Sequence, residues 1–327
     1  MNTRKLELET AISAVRHAAQ LCRAVQSEMN PEALSKKDKS PVTVADFGSQ
    51  AIVLYELEKA FPKDLMIAEE GAGALRDPAN RFLLAHLMDH VRRIDKDAGE
   101  EQVLGWIDRG SRRENADRFW TLDPIDGTKG FLRSEQYAIS LALIENGEIV
   151  LGALSCPNIA SYLPQAKDHD AVFTAVRGGG AWLCPGGGED PIELSTSGLK
   201  DPSRARFVES YESGHSDHSW SQGVAERLNI TRDPVRLDSQ AKYAILASGA
   251  ADLYLRLPTR ADYVEKIWDH AAGVLIVEEA GGTVTDVDGK PLEFNHGYLL
   301  TKNRGVLVSG GAFHDRIVQA VKEVEAG

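Results

Sequence analysis

The sequence predicts a layered α/β fold, and three features of its pattern support this prediction. Apolar residues recur at helical spacing near both ends of the chain, alternating segments mark short strands, and the two kinds of segment follow one another along its length. The chain has 327 residues, 43% of them hydrophobic, which is enough for a substantial core in one large domain or two fused ones.

The first half of the chain mixes helices with strands. We expect an amphipathic helix at the N-terminus, a polar loop at SKKDKSP, and a second helix over VTVADFGSQAIVLYELEKAF with Asp46 near its start. A short strand at LMIA ends in Glu69 and Glu70, and residues 71–115 are expected to form a helical insertion or a mobile flap. FWTLD is predicted to be a strand, and YAISLALIENGEIVLGALSCP two strands joined at its NG dipeptide, which is typical of tight hairpins.

The second half continues the alternation. It begins with a hairpin at VFTAVRGGGAWLC, a strand at RARFVES, a helix at SWSQGVAERLN and a strand at PVRLD. A helix at AKYAILASGA, a strand at DLYLRLP, a buried helix over WDHAAGVLIVEEAGG, short strands and a helix from about His314 complete it. We place a boundary near residues 164–170, which divides the chain into an N-terminal part, 1–166, and a C-terminal part, 167–327.

Composition excludes several classes of partner. The net charge of −12 and the isoelectric point near 5.3 argue against binding to nucleic acid or an anionic membrane, both of which attract basic proteins. The three cysteines are far apart, so neither a disulfide framework nor a thiolate metal site is predicted. The N-terminal helix lacks the apolar run of a signal peptide and no later segment could span a membrane, so we expect a cytoplasmic protein, and no obligate protein partner is evident.

Several acidic residues lie at the ends of predicted elements. Each could be a helix cap, a turn residue or a solvated charge when it is considered alone. Considered together they suggest a site for hard divalent cations, which need carboxylates converging from separate segments. These residues are Asp46, Glu69, Glu70, Asp123, Asp126 and Asp269.

Four segments carry a resemblance to a known family. VTVADFGSQ, IAEEG, LDPIDGTKGFLR and IWDHAAGVLIVEEAGG resemble, in the same order, the motifs of the magnesium-dependent, lithium-sensitive phosphatases related to inositol monophosphatase. The resemblance implies a layered αβαβα sandwich, two or three Mg²⁺ ions and inhibition by Li⁺. It also implies that Asp46 and Thr128 orient the attacking water, and that the metal ligands are Glu69, Asp123, the carbonyl of Ile125, Asp126 and Asp269.

The LDPIDGT segment is expected to take part both in metal binding and in phosphate binding. Asp123 could bridge two cations while Asp126, displaced by a turn, holds one, and Pro124 would stiffen the loop between them. Gly127 and Thr128 are predicted to begin a helix, whose free N–H groups and dipole favour a phosphate.

The C-terminal half resembles the branch of this family that acts on bisphosphate nucleotides. HSDH, LDSQAKYA and DLYLRLP carry this likeness, which makes a small bisphosphate nucleotide the expected partner. It implies that His215, Ser239, Lys242 and Arg256 contact the substrate, with Lys242 and Arg256 on the phosphate that is not cleaved. Either His215 or His218 could be the histidine that contacts the substrate. Lys242 could instead be solvated, as a lysine in a helix more often is, and Arg256 could point outward from its strand.

The expected activity is therefore removal of the 3′-phosphate from adenosine 3′,5′-bisphosphate, and from its sulfated counterpart if that molecule also fits. The alternative within the class is an inositol polyphosphate 1-phosphatase. A different class remains open, because the same fold could serve as a non-catalytic sensor of the nucleotide.

Overall fold

The structure is a computed structural model that describes residues 4–29, 40–114, 116–167, 169–211, 218–257 and 263–326. Its helices are α1 (Lys5–Glu28), α2 (Ser40–Ala60), α3 (Arg81–Val91), α4 (Glu100–Asp108), α5 (Thr128–Leu132), α6 (His218–Leu228), α7 (Ala241–Ala247), α8 (Ala271–Glu279) and α9 (His314–Ala326). Its strands are β1 (Leu65–Ala68), β2 (Arg118–Asp126), β3 (Ala138–Glu145), β4 (Glu148–Ser155), β5 (Val172–Val176), β6 (Ala181–Cys184), β7 (Ile192–Glu193), β8 (Val208–Glu209), β9 (Val235–Arg236), β10 (Leu253–Arg256), β11 (Thr283–Thr285) and β12 (Val306–Ser309).

Two sheets separate three layers of helices. The strands β1 to β7 form one sheet in chain order, with β1 parallel to β2 and the other neighbours antiparallel. The second sheet has the order β10-β12-β11, and a bridge between Phe207 and Leu253 attaches the small β8–β9 pair to it. Helices α1 and α2 cover the outer face of the first sheet, α7 and α8 lie between the sheets, and α6 packs with α9 against the second sheet. The expected αβαβα sandwich is confirmed.

Side chains alternate between the two faces of a strand, so one sheet can contribute residues to two hydrophobic cores. Leu141 and Leu143 of β3 pack toward α1 and α2, whereas Ala142 and Ile144 on the opposite face pack toward α8. In the second sheet, Val306 and Val308 face α8, while Leu307 contributes to the core under α6 and α9. Both sheets are thus buried on both faces, as their largely apolar strands require.

The segment predicted to be a helical insertion is helical. It contains α3 and α4, which pack against α2 through buried residues such as Leu84, Leu87 and Ile107. These helices extend the outer layer of the sandwich beside the helix that carries Asp46.

Most predicted elements are present, with a few differences in extent. The NG dipeptide forms the β3–β4 turn, where Asn146 and Gly147 have φ values of 51° and 82°. The helix predicted over WDHAAG begins only at Ala271, because Ile267–Asp269 forms a 3₁₀ turn. The predicted boundary at 164–170 falls between β4 and β5, neighbouring strands of the first sheet, and the division into two parts stays a prediction.

Within the described ranges, no helix combines the length and the apolar character needed to cross a membrane.

Candidate active site

The parallel pairing of β1 and β2 brings the first acids together. Ala68 is paired with Leu122, so that Glu69 and Asp123, the next residue of each chain segment, emerge side by side. Carboxyl ends of parallel strands meet at one edge of a sheet, and ligands commonly bind at this edge in α/β proteins. The site therefore begins where the sheet's only described parallel pair ends.

The LDPIDGT segment differs from its prediction in one respect. β2 does not end in a loop at Pro124 but continues to Asp126, with a register shift against β3 between Asp123 and Asp126. The expected turn is wrong because Asp126 pairs again with Ala138 of β3 after the shift. Between the paired residues, the Pro124 carbonyl accepts a hydrogen bond from Ser49 of α2 at 2.8 Å. A bulge re-aims side chains without ending a strand.

The predicted helix start after this strand is confirmed. α5 begins at Thr128, and Gly127 precedes it with a φ of 87°, a left-handed conformation that glycine adopts without strain. A Cβ placed on Gly127 would lie 2.9 Å from the Cβ of Ser239. The close approach brings Ser239, one of the predicted substrate residues of the second half, next to the acidic strand end.

Gln240 holds three parts of the site together. Its backbone N–H donates to Oδ2 of Asp126 at 2.6 Å, and its side-chain amide donates to the Trp268 carbonyl at 2.8 Å. The amide oxygen accepts from the N–H of Gly273 at 3.3 Å. One buried residue thus fixes β2, the start of α7 and the turn that carries Asp269 relative to one another, through its backbone N–H and its side-chain amide.

The acids form an electrostatically strained cluster. Burial, and then the charges of Glu69, Asp126, Asp269 and Asp46, raise the pKa of Asp123 well above its usual range. Burial, followed by the charges of Glu70 and Glu69, does the same to the pKa of Asp46. Since Asp123 is only 3% exposed and its Oδ1 has no hydrogen-bond partner among the described residues, the cluster fits a bound cation.

Basic side chains approach the same acids from the other side. The Arg256 guanidinium contacts Oε2 of Glu265 at 2.9 Å, Oδ2 of Asp269 at 3.2 Å and the hydroxyl of Tyr263 at 3.2 Å. Nζ of Lys266 lies 3.1 Å from Oε1 of Glu69. Arg256 therefore points into the site, with its side chain 15% exposed, and not outward from its strand.

Lys242 is buried, in contrast to the usual solvated lysine of a helix surface. It is 3% exposed, and its Nζ lies 5.2 Å from the centre of the Tyr254 ring. Burial lowers the pKa of Lys242 to about 8, although the charge of Asp126 acts in the opposite direction. An anion with a strong charge would stabilise the ammonium form in this position.

Most of the predicted site residues line one cavity of about 340 Å³. They are Glu69, Asp123, Ile125, Asp126, Gly127, Thr128, Ser239, Lys242, Arg256 and Asp269. Asp46 lies behind them on α2, close enough to raise the pKa of Asp123. His215 lies outside the described residues, as does the side chain of His218. A larger depression of about 630 Å³, near Tyr162 and Arg206, contains none of the predicted site residues.

Sequence reasoning missed several residues that line or border the cavity, four of which contact predicted site residues. Gln240, Tyr263, Glu265 and Lys266 all contact predicted site residues, yet none received a role. Gln240 lies inside the LDSQAKYA motif, and Glu265 and Lys266 directly precede IWDHAAG, but a polar residue in or beside a motif gives no signal of whether it points inward. Trp268, which precedes the predicted ligand Asp269, is a packing residue, because it is 2% exposed and stacks on Tyr298.

The fold and the clustered acids define a class of protein. The sequence model of the inositol monophosphatase family matches residues 5–326, which is nearly the whole chain. The chain belongs to the inositol monophosphatase family, which is metal-dependent.

Several individual proteins are similar to this chain over nearly its whole length. A 3′(2′),5′-bisphosphate nucleotidase of Schizosaccharomyces pombe is 42% identical, over 97% of this chain and 95% of the relative. One of Emericella nidulans is also 42% identical, over 95% of this chain and 96% of the relative. Among solved structures, a Thermotoga maritima IMPase has the same fold, with a TM-score of 0.65 and 24% identity over 98% of both chains.

Proposed function

We propose that this protein hydrolyses the 3′-phosphate of adenosine 3′,5′-bisphosphate, giving AMP and phosphate. One observation carries the proposal: a single cavity joins a cluster of mutually repelling carboxylates to the buried cationic groups of Lys242 and Arg256. The carboxylates suit metal ions at the phosphate that is cleaved, and the basic groups suit a second phosphate. The names of the relatives, which are 3′(2′),5′-bisphosphate nucleotidases, support the same substrate.

The acidic half of the cavity is proposed to hold two or three Mg²⁺ ions. The ligands would be the carboxylates of Glu69, Asp123, Asp126 and Asp269 and the main-chain carbonyl of Ile125. Bound Mg²⁺ would offset the negative charge of the phosphate and of the departing oxygen. We also expect Li⁺ to inhibit.

The chain's own residues are proposed to position water and substrate. Asp46 accepts a hydrogen bond from the attacking water, and the Thr128 hydroxyl orients the same molecule for in-line attack on phosphorus. Backbone N–H groups at Gly127 and Thr128 donate to the phosphate that is cleaved. Lys242 and Arg256 bind the other phosphate, Ser239 contacts the nucleotide, and His215 completes this proposed set.

The test is phosphate release from adenosine 3′,5′-bisphosphate with Mg²⁺, with and without millimolar Li⁺. Inositol 1-phosphate and inositol 1,4-bisphosphate serve as comparison substrates. We expect fast, lithium-sensitive release from the nucleotide, and loss of about 100-fold or more in kcat for Asp126→Asn, because it removes the charge of a proposed Mg²⁺ ligand. Asp190→Asn, an exposed acid in a loop, is the matched control and should behave like the parent.

Other outcomes would redirect the proposal. Faster release from inositol 1,4-bisphosphate than from the nucleotide would favour an inositol polyphosphate 1-phosphatase. Nucleotide binding without turnover, in parent and Asp126→Asn alike, would favour a sensor.

A further inference from the structure

A second group of ligand-type side chains lies far from the cavity, on the outer helical layer. Glu28 is the last residue of α1, and His86 and His90 lie one turn apart on α3. None of the three lines the candidate active site. Histidines at positions i and i+4 of a helix share one face, and this spacing is used for metal binding in other proteins.

The three ligand atoms are arranged as the corners of a coordination shell. The Nε2 atoms of His86 and His90 are 3.2 Å apart. Oε2 of Glu28 lies 3.4 Å from Nε2 of His86 and 3.3 Å from Nε2 of His90. In a tetrahedral zinc site with bonds of about 2.0–2.1 Å, two ligand atoms are about 3.3 Å apart. The observed triangle therefore has the dimensions of one face of a zinc tetrahedron.

The surroundings support the same arrangement. The second carboxylate oxygen of Glu28 is held at 2.9 Å by Arg93, which leaves Oε2 directed at the two rings. The His90 side chain is fully buried. Among the described residues its Nδ1 has no hydrogen-bond partner, and its Nε2 faces His86 and Glu28. The Arg93 bond to Glu28 is an outer contact of the kind that orients metal ligands.

The site also has an open side. The side chains of His86 and Glu28 are 43% and 41% exposed, so an ion can enter from solvent and a water can complete the tetrahedron. Two imidazoles and one carboxylate favour a borderline transition ion over Mg²⁺, which prefers oxygen ligands.

We propose that Glu28, His86 and His90 bind a divalent transition-metal ion of the Zn²⁺ type. The bound ion joins the end of α1 to α3. Both helices pack against α2, the helix that carries Asp46, so the ion stabilises the layer behind the candidate active site.

The test measures Zn²⁺ binding to the full chain by titration calorimetry, in excess Mg²⁺ so that oxygen-rich sites are occupied. We expect one Zn²⁺ per chain. Removing a ligand should weaken binding by more than the roughly 10- to 100-fold that changes in outer contacts cost. The variants are His86→Ala and Glu28→Gln, both at partly exposed positions where the fold should persist.

Two further variants separate this site from others. His17 is matched to His86, with 42% exposure and its own carboxylate partner Glu56, but it belongs to a pair and not to a triad. His17→Ala should therefore bind Zn²⁺ as tightly as the parent. Asp126→Asn should do so as well, because Asp126 lines the separate acidic cavity. Co²⁺ in place of Zn²⁺ should give the intense visible absorption of a tetrahedral site, and His86→Ala should lose it. A parent without Zn²⁺ binding in Mg²⁺, or undiminished binding in both His86→Ala and Glu28→Gln, would overturn the proposal.

Discussion

Lys242 links the fold to the proposed substrate through one buried charge. Its ammonium group is held among aromatic and acidic neighbours, where burial lowers its pKa to about 8. The charge and hydrogen bonds of a second phosphate on the substrate would compensate for the hydration that the ammonium loses on folding. A substrate with a single phosphate would not.

The first prediction concerns the pH dependence of this residue. Lys242 is charged below about pH 8 and becomes neutral above it, so attraction for the second phosphate should be lost as the pH rises through this value. We expect kcat/KM for adenosine 3′,5′-bisphosphate, which reports on the free enzyme, to fall above about pH 8. Lys242→Met should lower kcat/KM roughly 10- to 100-fold below that pH and remove this alkaline fall.

Adenosine 3′-monophosphate, which lacks the second phosphate, provides the control for this prediction. Its kcat/KM should change little between the parent and Lys242→Met. An unchanged alkaline fall in Lys242→Met would assign the titration to another group.

At the level of elements, the contact between α7 and α8 sets the geometry of the site. α7 begins beside Ser239 and carries Lys242, while α8 follows Asp269. The two helices approach closely because Gly273 lies against the ring of Tyr243. The Gln240 side chain then joins the helix starts by hydrogen bonds.

The second prediction tests this contact with two helical glycines. A Cβ at Gly273 would lie 2.4 Å from Cγ of Tyr243, whereas a Cβ at Gly105 in α4 would meet no atom within 4 Å. Gly273→Ala should therefore lower the free energy of unfolding by about 1–3 kcal/mol and reduce turnover. Gly105→Ala should raise the free energy of unfolding by up to about 1 kcal/mol, because alanine favours helices.

Chemical denaturation of both variants and the parent measures the difference, with phosphate release assayed alongside. Equal stabilisation by the two substitutions would show that α7 and α8 can separate without cost, against the close packing described above.

At the scale of the whole molecule, the acidic cluster joins several layers of the fold, so the proposed binding of metal ions would change the stability of the folded state. Its acids come from α2, from the ends of β1 and β2, and from the turn before α8, so their repulsion acts between layers. The pKa values of Asp46, Asp123, Asp126 and Asp269 are all raised, with burial as the largest cause in each. The folded state without metal thus holds protons that the unfolded chain has released above about pH 4, and its stability should fall as the pH rises from there.

The third prediction is that Mg²⁺ reverses this destabilisation. At neutral pH, Mg²⁺ at 100 times its dissociation constant should stabilise the parent by about 2.7 kcal/mol. Asp123→Asn removes one of the repelling charges and a proposed ligand. It should unfold at the same temperature as the metal-free parent or a higher one, and it should respond little to Mg²⁺.

Thermal unfolding in EDTA and in Mg²⁺ measures both effects, with Asp190→Asn as the matched acid outside the cluster. A metal-free Asp123→Asn protein that is much less stable than the parent would contradict the repulsion. An undiminished Mg²⁺ response in this variant would remove Asp123 from the proposed ligand set.

The sequence by itself determined the order of the elements and the position of the acids at their ends. Periodicity and turn residues such as Asn146 and Gly147 act over a few neighbours, so they can be recognised without knowing the fold. The tertiary structure alone decided that Lys242 is buried, that Arg256 meets Asp269, and that β2 continues past Pro124. Each of these depends on contacts between segments distant in the chain, whose energies outweigh local preferences and leave no local pattern in the sequence.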